Sequence, residues 1–542
     1  MKKLLLILLC LPMIGFGQSQ EVTLNGSQDS LIIEKYQNVN RTKTSEIIDG
    51  QVLTQTVYPV IFVHGLAGNW ESWDGFNDFI DQLWSFGGFL DFCLNSFGNS
   101  NQDICNIDYE IDNLTSNLTN ADYYVIDFDC DPGSPCTGGT RFSNQAAVIV
   151  QGRALGLAIN DVLNVTQSEK VILVCHSMGG LAAREYIQNE DHWVNPSHHR
   201  VAKLVTSGTP HYGSNYTWGV GGSPLNGGAD EQTEAVRDLR TSYFTSGEDG
   251  AYLFGNGIYE TTSYIKNSPL WNYYNVDVDC DGQPGDYISS GLNDISLPEN
   301  LDYACIMGSE DDIVTSYSSN LSNISNSDMI EIFTCDDCHH SESVLFNNLY
   351  LTKNANEPVY QTFKALDEPD WFDLAYKVDL NQYYKGYLTY QDVDHPLGDY
   401  SVDYDDYYFV LNNPSSINIS VSGLPPGAIA DILDPNYNIL YSGYVNGSGD
   451  INISTGSLSS GSYFLEIIGD AYGHPDFGSP PWNNPYQFYI YNNSTALENY
   501  LPINGSLIKI TDVLGRETKG TKNEVLFYIY DDGTVEKRIV IE

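Results

Sequence analysis

Five apolar runs of strand length, spread over residues 58–308, restrict the fold of this 542-residue chain more than any other feature. They are YPVIFV (58–63), YYVIDF (123–128), KVILVC (170–175), VAKLVTSG (201–208) and DYACIMG (302–308). None alternates cleanly between apolar and polar residues, so each reads as a strand covered on both faces. Between several of them lie stretches with the helical period. In SNQAAVIVQGRALGLAINDVLN (143–164) apolar residues recur every three or four positions. Buried strands separated by helices specify an α/β fold with a mostly parallel sheet. Sites on such sheets lie outside the carboxyl ends of the strands.

The third run leads into Cys175-His176-Ser177-Met178-Gly179-Gly180, and LAAREYIQ, with helical spacing, follows. A serine hydroxyl becomes nucleophilic only when a base takes its proton and a carboxylate orients that base. A strand-to-helix turn of small residues lifts such a serine clear of the sheet, as in the G-x-S-x-G elbow. The helix N-terminus also turns backbone N–H groups toward developing negative charge. Cys175 stands where that pattern has its first glycine. Cysteine is small and readily buried, so Cys175 reads as packing, neither catalytic nor disulfide-bonded.

PVIFVHGLAGNWESW (59–73) places His64-Gly65-Leu66 directly after the first strand, and TSGTPHYGS (206–214) closes the fourth. With the elbow, these segments resemble the lipase branch of the α/β-hydrolase fold, including bacterial lipases and GPI inositol-deacylase-like proteins. The resemblance covers roughly residues 55–350. It implies an oxyanion hole formed by the backbone N–H groups of Leu66 and Met178. Residues 214–300 match none of its segments and read as a lid inserted over the strand ends. The acid should follow a later strand. Gly308-x-x-Asp311-x-x-Val314 resembles the family's G-x-x-D-x-x-V turn, which favours Asp311 over the neighbouring Asp312. The base should come next, from HHSESVLFNNLY (339–350). His340 fits the offsets to Val344 and Leu345 better than His339 does. The order Ser177, Asp311, His340 is that of α/β-hydrolases. His64, His176 and His211 read as turn or packing residues. The chemistry requires no cofactor.

Lys2 and Lys3 precede the apolar run Leu4–Ile14, and Gly15-Phe16-Gly17 closes it before Gln18. That is a secretory signal peptide over residues 1–17, too short to remain as a membrane span. No other long apolar segment follows, so the mature chain is expected to lack a transmembrane segment. Ten cysteines include Cys10 in that run. Their order in an exported chain suggests Cys93–Cys105, Cys130–Cys136 and Cys280–Cys305, with Cys335 and Cys338 paired or bridged elsewhere. CDDCHH (335–340) offers only one CxxC, too little for a zinc site.

Asp and Glu number 71 against 24 Lys and Arg, a formal charge of −47. Such a chain repels nucleic-acid phosphates and anionic membranes, so neither is an expected partner. Part of this acidity could hold calcium. DVDCDGQPGD (277–286) begins as a calcium loop does, with Asp277, Asp279, Asp281 and Gly282. Its twelfth position is Ile288 rather than a glutamate, so it is no EF-hand but a candidate structural calcium site. DFDCDP (127–132) resembles it faintly.

Past about residue 366 the helical signals stop. YLTYQDVD, DYYFVLN, SINISVSG, GSYFLEIIG and YQFYIYN are short alternating strands with Gly, Pro and Asn turns, the pattern of a β-sandwich. Residues 372–494 resemble the bacterial pre-peptidase C-terminal sandwich. Asp403, Asp405 and Asp406 could ligate calcium there, but read better as a solvated acidic loop. The stretch LIKITDVLGRETKGTKNEVLFYIYDDGTVEKRIVIE (507–542) resembles the sorting tail of type IX secretion. It implies that secretion machinery as a partner and an exported or cell-surface location.

The domain reading is therefore a signal peptide (1–17), an N-terminal extension (18–50), an α/β-hydrolase domain with a lid (51–366), a small β-sandwich (372–494) and a β-rich tail (495–542). The expected function is a secreted serine hydrolase, a lipase or esterase acting on lipid or other esters. The alternatives are an esterase for polymer- or polysaccharide-bound acyl groups, or a surface adhesin on an inactive hydrolase scaffold.

Overall fold

The computed structural model describes residues 55–73, 84–94, 118–129, 143–193, 198–214, 233–240, 279–283, 287–324, 330–340, 364–388, 402–445, 449–470 and 485–492, with shorter pieces between and beyond them. The expected signal peptide (1–17), Cys130, Cys136, most of the inserted region and the stretch after His340 lie outside the described residues. Among the described residues no helix is long and apolar enough to cross a membrane.

Seven strands form one sheet: β1 (Val60–Val63), β2 (Phe86–Asp91), β3 (Tyr123–Asp127), β4 (Val171–His176), β5 (Val201–Ser207), β6 (Asp302–Gly308) and β7 (Ile330–Cys335). Their order is β7-β6-β5-β4-β1-β3-β2, and every neighbouring pair is parallel. The five apolar runs account for β1 and β3–β6. The two outermost strands were not apparent. β2 contains Gly87 and Gly88, where a Cβ on Gly87 would strike the Tyr124 ring at 2.1 Å. β7 (IEIFTC) has one edge free of the sheet and carries exposed positions among buried ones.

Successive residues of β1 point into two different cores. Ile61 and Val63 join the core under α1 (Val148–Thr166) and α2 (Met178–Gln188). Val60 and Phe62 join a core on the opposite face that also contains Phe409, Ile419, Leu465 and Ile490. Those last four belong to the sandwich. Its strands are β10 (Tyr376–Lys377), β11 (Tyr383–Gly386), β12 (Val402–Leu411), β13 (Ile417–Ser422), β14 (Ile429–Leu433), β15 (Ile439–Tyr444), β16 (Ile451–Ser454), β17 (Gly461–Asp470) and β18 (Tyr486–Asn492). They follow β8 (Cys338–His339) and β9 (Leu349–Tyr350). One sandwich sheet has the order β10-β12-β17-β14-β15, the other β11-β18-β13-β16. The sandwich thus shares a core with the parallel sheet. At roughly 1.5–3 kcal/mol per fully buried large apolar side chain, that shared core binds the two parts firmly.

Polar contacts support the same junction at the amino ends of the strands. Lys203 is fully buried, bonded to Asp302 at 2.9 Å, near Glu331 at 3.6 Å, and donates to the Asp367 carbonyl at 2.8 Å. Lys385 pairs with Asp122 at 3.0 Å, and the Trp84 indole donates to the Tyr387 hydroxyl at 2.8 Å. Further along the chain, three short antiparallel strands lie within residues 507–539.

The cysteine order misled. Cys105 is joined to Cys280, and not to Cys93. Cys305 is free and buried in β6, and not joined to Cys280. Cys335 and Cys338 are joined to each other. Pairing by sequence order failed because the disulfide ties a loop before β3 to the inserted region, 175 residues away.

Candidate active site

β4 runs fully buried from Val171 to His176 and delivers Ser177 into a backbone conformation with φ 52° and ψ −128°. A non-glycine residue rarely adopts a positive φ, and such strain clusters at functional turns. Neighbours enforce the turn. A Cβ on Gly65 would lie 2.7 Å from the Ser177 Cβ, one on Gly179 2.5 Å from the His64 carbonyl, and one on Gly180 2.1 Å from Thr209 Oγ1. These positions need glycine because β1 and the turn after β5 press against the elbow. Cys175 meets a different constraint. It lies within β4, paired with Val63 and Thr206, and is fully buried and free. Burial pushes its thiol pKa well above the ordinary value, so it stays neutral.

The Ser177 Oγ–H donates to His340 Nε2 at 2.8 Å, and His340 Nδ1–H donates to Asp311 Oδ2 at 2.8 Å. The tautomer follows from the partners, since an ionised carboxylate can only accept. Asp311 Oδ1 accepts from the N–H groups of Ile313 and Val314 at 2.9 and 2.8 Å. Both carboxylate oxygens are therefore fixed while one is aimed at the imidazole. Ser177 and His340 are 7% and 4% exposed. Asp312 is exposed and His339 half-buried one residue away. The structure thus brings together Ser177, Asp311 and His340, drawn from three strand ends.

Met178 is the first residue of α2, so its N–H is one of the donors that no helix can satisfy internally. Leu66 follows Gly65 at the end of β1, on the other side of the elbow. The turn is pinned by Asn144, whose carbonyl accepts from Ala67 N–H at 3.2 Å and whose side chain donates to the Gly68 carbonyl at 2.9 Å. Asn144 was not singled out in the sequence, and nothing in its surroundings there marks it. Val236, on α3 (Glu234–Leu239) of the inserted region, packs on Leu66, Ala67 and Ile313. The insertion is also tied to α2, where Arg184 donates to Asn293 at 2.9 Å and the Tyr252 hydroxyl to Glu185 at 2.5 Å.

His64, His176 and His211 are also buried. His64 donates from Nδ1 to the Gly65 carbonyl at 2.8 Å and accepts at Nε2 from Phe128 N–H at 2.9 Å. Burial lowers its pKa to about 4. His211 is fully buried, and burial holds its pKa well below the ordinary value. His176 is bonded by its ring to the backbone of His340.

Among the described residues, two clusters of carboxylates converge closely enough to hold a cation. Asp277, Asp279 and Asp281 place oxygens within 4.8 Å of one another, and Asp277 accepts from Gly282 N–H at 3.0 Å. Asp367, Glu368 and Asp405 do likewise beside the sandwich. Asp405 therefore clusters with Asp367 and Glu368 rather than with Asp403 and Asp406. Asp406 instead faces Glu466 across the sheet.

A family model described as a PGAP1-like alpha/beta domain matches residues 54–231. No curated protein matches the chain. Among solved structures, a gene product of Listeria innocua is 15% identical, with a TM-score of 0.31, covering 58% of this chain and 95% of its own. A membrane phospholipase A described as a bacterial virulence factor is 11% identical, with a TM-score of 0.28, covering 62% and 91%. The pre-peptidase C-terminal domain of a Bacillus anthracis collagenase is 22% identical, with a TM-score of 0.16, covering 23% and 98%. With its all-parallel seven-stranded sheet, helices α1 and α2 on one face, and a family match through the elbow, the chain has the α/β-hydrolase fold, followed by further β-sheets.

Proposed function

We propose that this protein is an exported serine hydrolase of carboxylic esters. The hydrogen-bonded series Ser177–His340–Asp311 carries the reading. His340 takes the proton as Ser177 Oγ attacks the ester carbonyl, and Asp311 stabilises the imidazolium without itself being protonated. The tetrahedral oxyanion rests on the Leu66 and Met178 N–H groups, each such donor being worth on the order of 10²–10³ in rate. Collapse expels the alcohol, which takes its proton from His340. Water, deprotonated by the same base, then releases the acid from Ser177. The basic, apolar start of the chain and its β-rich tail support export by type IX secretion machinery.

A chain-length series of p-nitrophenyl esters tests the reading. Turnover by the wild type, abolished in Ser177→Ala, is the expected result. Preference for long acyl chains would identify a lipase, and confinement to acetyl esters would favour polymer-bound acyl groups. A Ser177→Ala variant as active as the wild type would overturn the proposal.

A further inference from the structure

We infer that His176, the residue before the nucleophile, is a positioning residue for the base: its ring moors the backbone of His340 to the strand that carries Ser177. The inference rests on the reading of Ser177 and His340 given above.

His176 ends β4 and is 6% exposed. Its Nε2 lies 2.9 Å from the carbonyl oxygen of His340, 164 residues along the chain. A carbonyl can only accept, so Nε2 carries the proton and Nδ1 is bare. The two rings also touch, with centroids 4.9 Å apart and planes at 41°, and the Trp73 ring lies edge-on to His176 at 6.5 Å. The ring is therefore packed against both Trp73 and the base. Burial, with the neighbouring His340 adding to it, lowers the His176 pKa to about 3, so the donor stays neutral when His340 becomes cationic.

His340 needs such a mooring. Its imidazole must hold two hydrogen bonds at once, to Asp311 and to Ser177, each at 2.8 Å. Its backbone follows β8, which is joined at Cys338 to Cys335 by a disulfide and accepts there from the Glu310 N–H at 3.1 Å, two residues short of His340 itself. The bond from His176 places the base in register with the adjacent Ser177 through a single ring. A displacement of about 1 Å in a reacting group can cost 10²-fold in rate.

A packing histidine would behave differently, and three substitutions separate the two. In His176→Gln the amide nitrogen can reach the position of Nε2, in His176→Asn it falls short, and His176→Leu fills space without a donor. The expected result on the preferred p-nitrophenyl ester is a kcat lowered about 10–100-fold in Leu and Asn, with KM changed less than about twofold, and recovery to within about threefold in Gln. If Leu fails to fold, the Gln and Asn pair still decides. Equal kcat in Gln and Asn, or a Leu variant with wild-type kcat, would overturn the inference. A readout independent of turnover is the low-field NMR resonance of the His340 Nδ1 proton, expected to persist in Gln and to broaden in Asn. Its persistence in Asn would also count against the mooring. Ser177→Ala serves as the control. Unchanged activity there refutes the hydrolase reading itself, whereas its loss together with a flat series at position 176 refutes only the role of His176.

Discussion

The two ends of the parallel sheet solve opposite problems. At the carboxyl ends, His64 and His176 are kept neutral by burial and bonded to backbone, and the Asp311 carboxylate is held by two N–H groups and an imidazole. At the amino ends, the buried groups are full charges in fixed pairs, Lys203 with Asp302 and Glu331, and Lys385 with Asp122. Burial works against the charge of Lys203, but Asp302 and Glu331 outweigh it and keep its pKa well above the ordinary value. One end is arranged so that a single proton can move. The other is arranged so that no charge moves and the sandwich stays attached. The lesson is that burial by itself does not mark a site. What marks it is burial with a titratable group whose partner can exchange a proton.

The largest expected effect is at the carboxyl ends. Asp311→Asn keeps the size of the side chain but removes its power to fix the imidazole tautomer, and kcat is expected to fall about 10⁴-fold. The melting temperature should stay within a few degrees of the wild type, so a large loss of stability there would erase the contrast. Lys203→Met should do the reverse. Asp302 and Glu331 would be left without their cation, at a cost of about 3–5 kcal/mol in urea unfolding. The kcat of the folded protein should remain within about twofold.

The third prediction concerns the acidic sandwich. Asp406, Glu466 and Asp431 lie directly opposite one another on three adjacent strands. Burial, and then the Asp431 carboxylate, raise the pKa of Glu466 to about 7. The folded state therefore holds this proton more tightly than the unfolded chain, and stability falls as pH rises from about 4.5 to 7. Glu466→Gln should remove part of that fall, recovering roughly 1–2 kcal/mol at pH 8 and little at pH 4. A wild-type stability unchanged between those values would contradict the assignment. The smallest effect is expected for Lys377→Gln, which breaks an exposed pair with Glu169. Such pairs contribute about 0–1 kcal/mol, so the change should be barely measurable.

Much of the catalytic layer was legible because its chemistry is written in local segments. The apolar runs that became β1, β4, β5 and β6 each end in a short motif, and those motifs carry His64, Ser177, the Thr209 turn and Asp311. What escaped was set by contacts between distant segments. β2 and β7 border the sheet, and their composition reports local geometry rather than burial. The Cys105–Cys280 pairing depends on how the insertion folds back over the domain. The fastening of the sandwich to the sheet through Lys203 and Lys385 has no local signature at all. His176 reads as packing in the sequence because a single histidine in a strand gives no sign of a carbonyl 164 residues away.

The central claim is that Ser177 is an activated nucleophile, and reaction with a fluorophosphonate tests it most directly. Intact-protein mass spectrometry after treatment at neutral pH should show one adduct on the wild type, mapped by peptide digestion to Ser177. None should form on Ser177→Ala, and Asp311→Asn should react far more slowly. A wild-type protein that stays unmodified, or an adduct that persists in Ser177→Ala, would contradict the account.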